Sequence, residues 1–124
     1  MTLVLVADDD ADIRDLVIFK LEQLGVEAIT AEDGSQALAA VRERHPTLAI
    51  LDISMPGLSG IDVCRMIRAD PEIADTMVLM LTARAQEQDV EHGFAAGADD
   101  YVTKPFSPRE LVSRVQTMLS RAQT

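Results

Sequence analysis

The sequence predicts a doubly wound α/β domain, a (βα)5 sandwich built on a five-stranded parallel sheet. Three observations carry that prediction. Short apolar runs alternate with segments of helical period along the whole chain. The strongest runs are apolar throughout rather than alternating, as strands covered on both faces are. Units this short demand parallel strands joined by right-handed crossovers, with helices on both faces, because a single helical layer would leave apolar stripes exposed.

The strand candidates are 3–7 "LVLVA", 48–51 "LAIL" and 77–81 "MVLML", with the less apolar 26–30 "VEAIT" and 100–103 "DYVT". Between them, Ile13, Leu16, Val17, Leu21 and Leu24 form a first helical stripe, which Gly25 stops. Ala37, Leu38 and Val41 mark a second helix, from about Gly34 to Arg44. Ile61, Val63, Cys64 and Ile67 mark a third, ended by Pro71. Val90, Phe94 and Ala95 suggest a fourth that closes at Gly97, and Leu111, Val112, Val115, Met118 and Leu119 mark a fifth. Ser107, Pro108 and Glu110 fit a capping box at the start of that last helix.

Composition narrows the function. With 124 residues, 48% hydrophobic and 26% charged, the chain has the make-up of one globular domain, taken here as residues 1–124. Eleven basic residues against 21 acidic ones give a net charge of −10, which disfavours direct contact with nucleic acid and favours a cation. Cys64 is the sole cysteine, so neither a disulfide framework nor a thiolate cluster can form within the chain, and a reducing, cytoplasmic setting is expected. No apolar run approaches membrane-spanning length, and no membrane association is expected.

In open parallel sheets ligands bind beyond the carboxyl ends of the strands. Those ends collect one kind of chemistry. The first strand runs into Asp8, Asp9 and Asp10, the third ends at Asp52, the fourth at Thr82, and the fifth leads to Lys104. Asp10 suits the cap of the first helix. Asp8 or Asp9 beside Asp52 must bind a cation, share a proton or lower stability. Such oxygen ligands suit Mg²⁺. His45 and His92 lie on expected helices, away from the strand ends. Lys104 and Thr82 supply a point charge and a hydroxyl donor for phosphoryl oxygens. A carboxylate so placed can act as nucleophile and form an aspartyl phosphate.

The segments "VADDDADIR", "LDISMPGLSG", "LTA" (81–83) and "GADDYVTKPFSPREL" (97–111), in this order and spacing, resemble the response-regulator receiver domain, the CheY-like module of two-component signalling with a flavodoxin-like fold. The resemblance implies that Asp52 is the phosphoacceptor. It also implies that Asp9 holds Mg²⁺ directly, Asp8 through a bound water, and Ser54 through its backbone carbonyl. Thr82 and Lys104 would grip the phosphoryl oxygens, with Lys104–Pro105 cis. Ser54, Ala83 and Arg84 would tune dephosphorylation, Ala83 by leaving room over the phosphoryl group. Thr82 and Tyr101 would form the switch.

The implied partner is a histidine kinase or phosphotransfer protein. The implied output face joins the fourth helix, the fifth strand and the fifth helix, with its charge pattern from Asp99, Asp100, Glu110 and Arg114. "GADDY" and "KPFSPREL" are most similar to receivers of winged-helix (OmpR/PhoB-type) regulators, which dimerise through that face when phosphorylated. Asp100 with Arg114 matches one intersubunit pair of that branch, whereas Glu91, His92 and Gln116 depart from its pattern. A receiver of this kind phosphorylates and slowly dephosphorylates itself without being a multiple-turnover enzyme. A phosphorylation-independent docking receiver is one alternative. An Asp-nucleophile phosphatase is another, but it needs a second Asp where Ser54 stands. A dinucleotide fold lacks its Gly-rich fingerprint here.

Overall fold

The computed structural model describes residues 2–83, 91 and 94–122. Five strands, β1 (Leu3–Ala7), β2 (Glu27–Ala31), β3 (Leu48–Asp52), β4 (Met77–Ala83) and β5 (Asp100–Lys104), form one parallel sheet in the order β2-β1-β3-β4-β5. Helices α1 (Ala11–Gln23), α2 (Gly34–Arg44), α3 (Gly60–Ala69) and a C-terminal helix (Pro108–Ala122) cross between strands or cover them. The expected fourth helix falls largely outside the described residues, including Val90 and His92. Glu91, Phe94 and Ala95 are helical.

Side-chain alternation sorts the apolar residues into two cores. Leu5, Ala7, Ala49, Leu51, Val78 and Met80 meet α2 and α3 through Leu38, Val41, Val63, Cys64 and Ile67. Val4, Val6, Leu48, Ile50, Leu79 and Leu81 meet α1 and the C-terminal helix through Val17, Leu21, Leu111, Val115 and Met118. Both faces of β3 are therefore buried, which is why its run is apolar throughout. Leu16 departs from the expected stripe: it is 39% exposed, because α1 turns Val17 and Leu21 to the sheet and leaves the neighbouring position on its rim. β2 begins and ends one residue later than the sequence predicts, and β4 and β5 continue to Ala83 and Lys104.

Local chemistry sets the helix starts. The Asp10 carboxylate accepts from the Asp12 and Ile13 N–H groups at 2.9 and 3.3 Å, as expected of a cap. Asp33 caps α2, and Ser59 with Asp62 forms a reciprocal capping box on α3. Ser107 Oγ accepts from the Glu110 N–H, while the Glu110 carboxylate lies 3.7 Å from Arg114. Gly60 lets α3 start against the acidic strand end, since a Cβ there would run into the backbone of Asp52 and Ile53.

Arg68 ties the opposite end of the sheet together. Its guanidinium donates to the carbonyls of Gly97 (2.9 Å), Ala74 (2.8 Å) and Thr76, and to Asp99 Oδ2 (2.9 Å). Asp99 Oδ2 also accepts from the Val78 N–H, and the Asp99 N–H donates to the Val78 carbonyl. Among the described residues no helix is long and apolar enough to cross a membrane.

Gly60→Ala should lower unfolding stability by about 1–3 kcal/mol, because the obstacle is backbone and not a side chain that can rotate away. Urea unfolding of the variant against the parent would check this.

Candidate functional site

The strand order reverses direction between β1 and β3, so the crevice at the carboxyl end of the sheet opens between them. Asp8 follows β1 directly and Asp52 ends β3. Asp8, Asp9 and Asp52 each place a carboxylate oxygen within 4.8 Å of the others. Asp8 is completely buried, Asp52 is 4% exposed and Asp9 is exposed. Asp8 Oδ1 accepts from the Asp10 N–H at 2.9 Å, and Asp52 Oδ1 accepts from the Ser54 N–H at 3.3 Å.

Lys104, carried in from β5, supplies the opposite charge. Its Nζ lies 2.9 Å from Asp8 Oδ2 and 3.2 Å from Asp52 Oδ2. Asp8 Oδ2 nevertheless lacks a well-aligned hydrogen-bond donor. The distance makes an ion pair, but the angle leaves the buried oxygen's lone pairs free to accept more. Hard oxygen donors, two of them buried and one with unused acceptor capacity, fit a divalent cation such as Mg²⁺.

The charges act on one another. Burial, and then the negative charge of Asp8, push the Asp52 carboxyl up from 3.8 to about 6, against the pull of Lys104 and the Ser54 N–H. Burial alone would lower the Lys104 pKa, but the adjacent carboxylates of Asp8 and Asp52 outweigh it and raise it. Lys104 is therefore firmly cationic at neutral pH.

The structure brings Asp8, Asp9, Asp52 and Lys104 together. Thr82 is fully buried one position beyond Leu81, the register partner of Asp52. Ala83 closes β4 opposite Lys104, and the Lys104–Pro105 peptide is cis. Ser54 is exposed next to the acidic strand end, and Arg84 lies outside the described residues. Tyr101 is half-buried on β5, its ring edge-on to Phe94 at 5.4 Å. Tyr101 pairs in register with Met80, so alternation puts Tyr101 and Thr82 on the same sheet face.

The four charged residues expected on the output face divide. Arg114 Nη1 donates to both oxygens of Asp100 at 3.0 Å and Arg114 also neighbours Glu110, all within one chain. Asp99 is engaged by Arg68 instead. Sequence reasoning passed over Arg14, whose Nη1 donates to the Asp8 carbonyl at 2.7 Å. The only hint was its place four residues after the Asp10 cap, one helical turn along, where α1 faces the acidic turn.

A family model described as the response regulator receiver domain matches residues 4–116. The chain belongs to that family. Its relatives include the DNA-binding response regulator MtrA of Mycobacterium tuberculosis, 47% identical over 95% of this chain and 50% of that protein. Another is the phosphate regulon transcriptional regulatory protein PhoB of Pseudomonas aeruginosa, 44% identical over 95% and 52%. The receiver thus spans about half the length of the curated relatives it matches. Among solved structures it resembles the receiver domain of Francisella response regulator 1452 (TM-score 0.89, 35% identity, 98% of each chain). It also resembles the response regulator DrrB of Thermotoga maritima, an OmpR/PhoB homologue (TM-score 0.87, 40% identity, 98% of this chain and 54% of that one). Membership places the receiver in two-component phosphorelay signalling, and its carboxylate cluster is consistent with the phosphorylation chemistry of the family.

Because the folded receiver holds the Asp52 proton more tightly than the unfolded chain does, that residue's favourable contribution is complete below about pH 3.8. It is lost as pH rises through about 6. In EDTA, Asp52→Asn should therefore unfold at higher temperature than the parent at pH 7, by the equivalent of about 1–3 kcal/mol. The advantage should shrink as pH falls from 6 to 4. Thermal melts across that range would check it, and an advantage independent of pH would contradict it.

Proposed function

We propose that residues 1–124 form a receiver that accepts one phosphoryl group on Asp52 from a phosphohistidine of a histidine kinase or phosphotransfer protein. The observation that carries this reading is the buried Asp52 carboxylate, with Asp8 and Asp9 oxygens within 4.8 Å and Lys104 Nζ at 3.2 Å. An Asp52 oxygen attacks phosphorus, an acyl phosphate O–P bond forms, and the P–N bond of the donor breaks, leaving the donor imidazole to pick up a proton.

Asp9, Asp8, Asp52 and the Ser54 carbonyl are the residues that would hold Mg²⁺. The cation would supply positive charge against the equatorial phosphoryl oxygens. Lys104 neutralises one of those oxygens from the other side, and the Thr82 hydroxyl donates to another. Ser54, Ala83 and Arg84 would govern how readily water attacks the phosphoryl group, and so its lifetime. Water at that position returns the receiver to its starting state, so the chain turns over slowly rather than processing a pool of substrate.

Phosphorylation adds charge and acceptor oxygens at the end of β3, beside Thr82 of β4. Thr82 moves toward them, and Tyr101, on the same sheet face, follows into the space released. This changes the face that holds Asp99, Asp100, Glu110 and Arg114, through which two copies would dimerise. A dimer of the branch type requires Arg114 to exchange Asp100 of its own chain for that of the second copy. Nothing in this chain's charge favours DNA directly, so any such contact belongs to a partner or a further domain.

Acetyl phosphate with Mg²⁺ should add a single phosphoryl mass to the intact protein. Asp52→Asn should abolish the label, and Lys104→Ala should keep some label while losing the change in Tyr101 fluorescence. A label that survives in the Asn variant would reassign the acceptor, and many turnovers of a phosphate ester would favour a phosphatase.

A further inference from the structure

We infer that Arg14 is a positioning residue for the cation site: by gripping the Asp8 carbonyl it sets where Asp9 presents its carboxylate. The inference rests on the reading of Asp8, Asp9 and Asp52 as the residues that hold a divalent cation. Of the three, Asp9 is the one exposed to solvent, and so the one whose place is least determined by packing.

What holds the chain at Asp9 is its neighbours. The Asp8 N–H donates to the Ala31 carbonyl at 3.2 Å, and the Asp8 carboxylate accepts from the Asp10 N–H. Asp10 in turn is fixed as the cap of α1. The remaining freedom is rotation of the peptide that joins Asp8 to Asp9. Because a peptide unit is planar, holding the Asp8 carbonyl also orients the Asp9 nitrogen. Arg14 does this at 2.7 Å with a charge-assisted bond from a side chain only 15% exposed. Its other terminal nitrogen lies 3.7 Å from Glu32, in the turn after β2, so the guanidinium is braced from a second element.

Charge and geometry predict opposite signs. As a positive charge beside the cluster, Arg14 repels a cation, and removing it should tighten binding. As a clamp on the Asp8–Asp9 peptide, it improves the ligand geometry, and removing it should weaken binding. Residues that orient metal ligands are typically worth tenfold or more in affinity, whereas the Arg14 charge is already offset by Glu32 at 3.7 Å. Geometry should win.

Isothermal titration with Mg²⁺ alone, at fixed ionic strength and without phosphodonor, separates the two. Arg14→Ala should bind Mg²⁺ about tenfold more weakly than the parent. Arg14→Lys keeps the charge but loses the planar fork, so it should show a smaller loss of the same sign. Circular dichroism melts in EDTA establish that each variant is folded. An Arg14→Ala protein that binds as tightly as the parent, or more tightly, overturns the inference. If that variant does not fold, Arg14→Lys decides, and unchanged affinity there overturns it. A parent protein that binds no Mg²⁺ overturns the cation-site reading itself, which is a different result from a parent that binds and variants that bind equally well.

Discussion

Two buried carboxylates stand side by side at one end of the sheet, and a single lysine keeps them there. Asp8 and Asp52 come from adjacent strands, and burial together with their mutual repulsion pushes Asp52 up to about 6. Lys104 is the counter-charge, at 2.9 and 3.2 Å. It relieves the repulsion only in part, since Asp52 remains raised and Asp8 Oδ2 still lacks an aligned donor. The site is thus short of positive charge, and that shortage is what makes a divalent cation, and then a phosphoryl group beside it, chemically suited to the place.

That arrangement depends on backbone placement that side chains could not rescue. α3 begins almost in contact with the carbonyl of Asp52, and only a glycine fits at Gly60. α2 begins against Leu58 in the loop that follows Asp52, and only a glycine fits at Gly34. α3 therefore approaches the sheet, and α2 the loop after Asp52, more closely than a larger residue would permit. The loop from Ser54 to Ser59 is held between them, fastened by the Gly60 N–H to the Ile53 carbonyl at 3.0 Å and by the capping box of Ser59 and Asp62. A small displacement of either helix would move the Ser54 backbone and with it the Asp52 carboxylate that its N–H contacts.

How much of this was legible depended on whether a residue signals through its own period or through a distant partner. Runs such as Leu48–Leu51 are apolar because both sheet faces are covered, and that shows in a local window. The alignment of strand ends follows from the parallel topology, so Asp8, Asp9, Asp52 and Lys104 could be gathered before any coordinates. Asp10 was identifiable as a cap because capping is local. Leu16 misled because a stripe fixes an arc of a helix but not which residues at its margin the neighbours cover. Arg14 and Arg68 stayed hidden for another reason: their acceptors are mostly backbone carbonyls, which leave no trace in residue identity. Asp99, just before β5, is engaged by Arg68, a pairing that no local pattern signals.

The clamp at Arg68 bears on how a signal can leave the site. β5 is an edge strand, paired only with β4, and an edge strand could in principle slide. Here it is pinned at both ends. Where it begins, Asp99 exchanges two hydrogen bonds with Val78 and receives a third from Arg68. Where it finishes, Lys104 is drawn toward Asp8 and Asp52. A one-residue slip would invert every side chain on the strand, exposing Val102 and burying Thr103, so register is not an available degree of freedom. A change of charge at the carboxylates must therefore be answered by side chains that can rotate against a fixed sheet. On the face shared by Thr82, Met80 and Tyr101, the half-buried tyrosine, packed edge-on to Phe94, has space to do so that fully enclosed Met80 lacks.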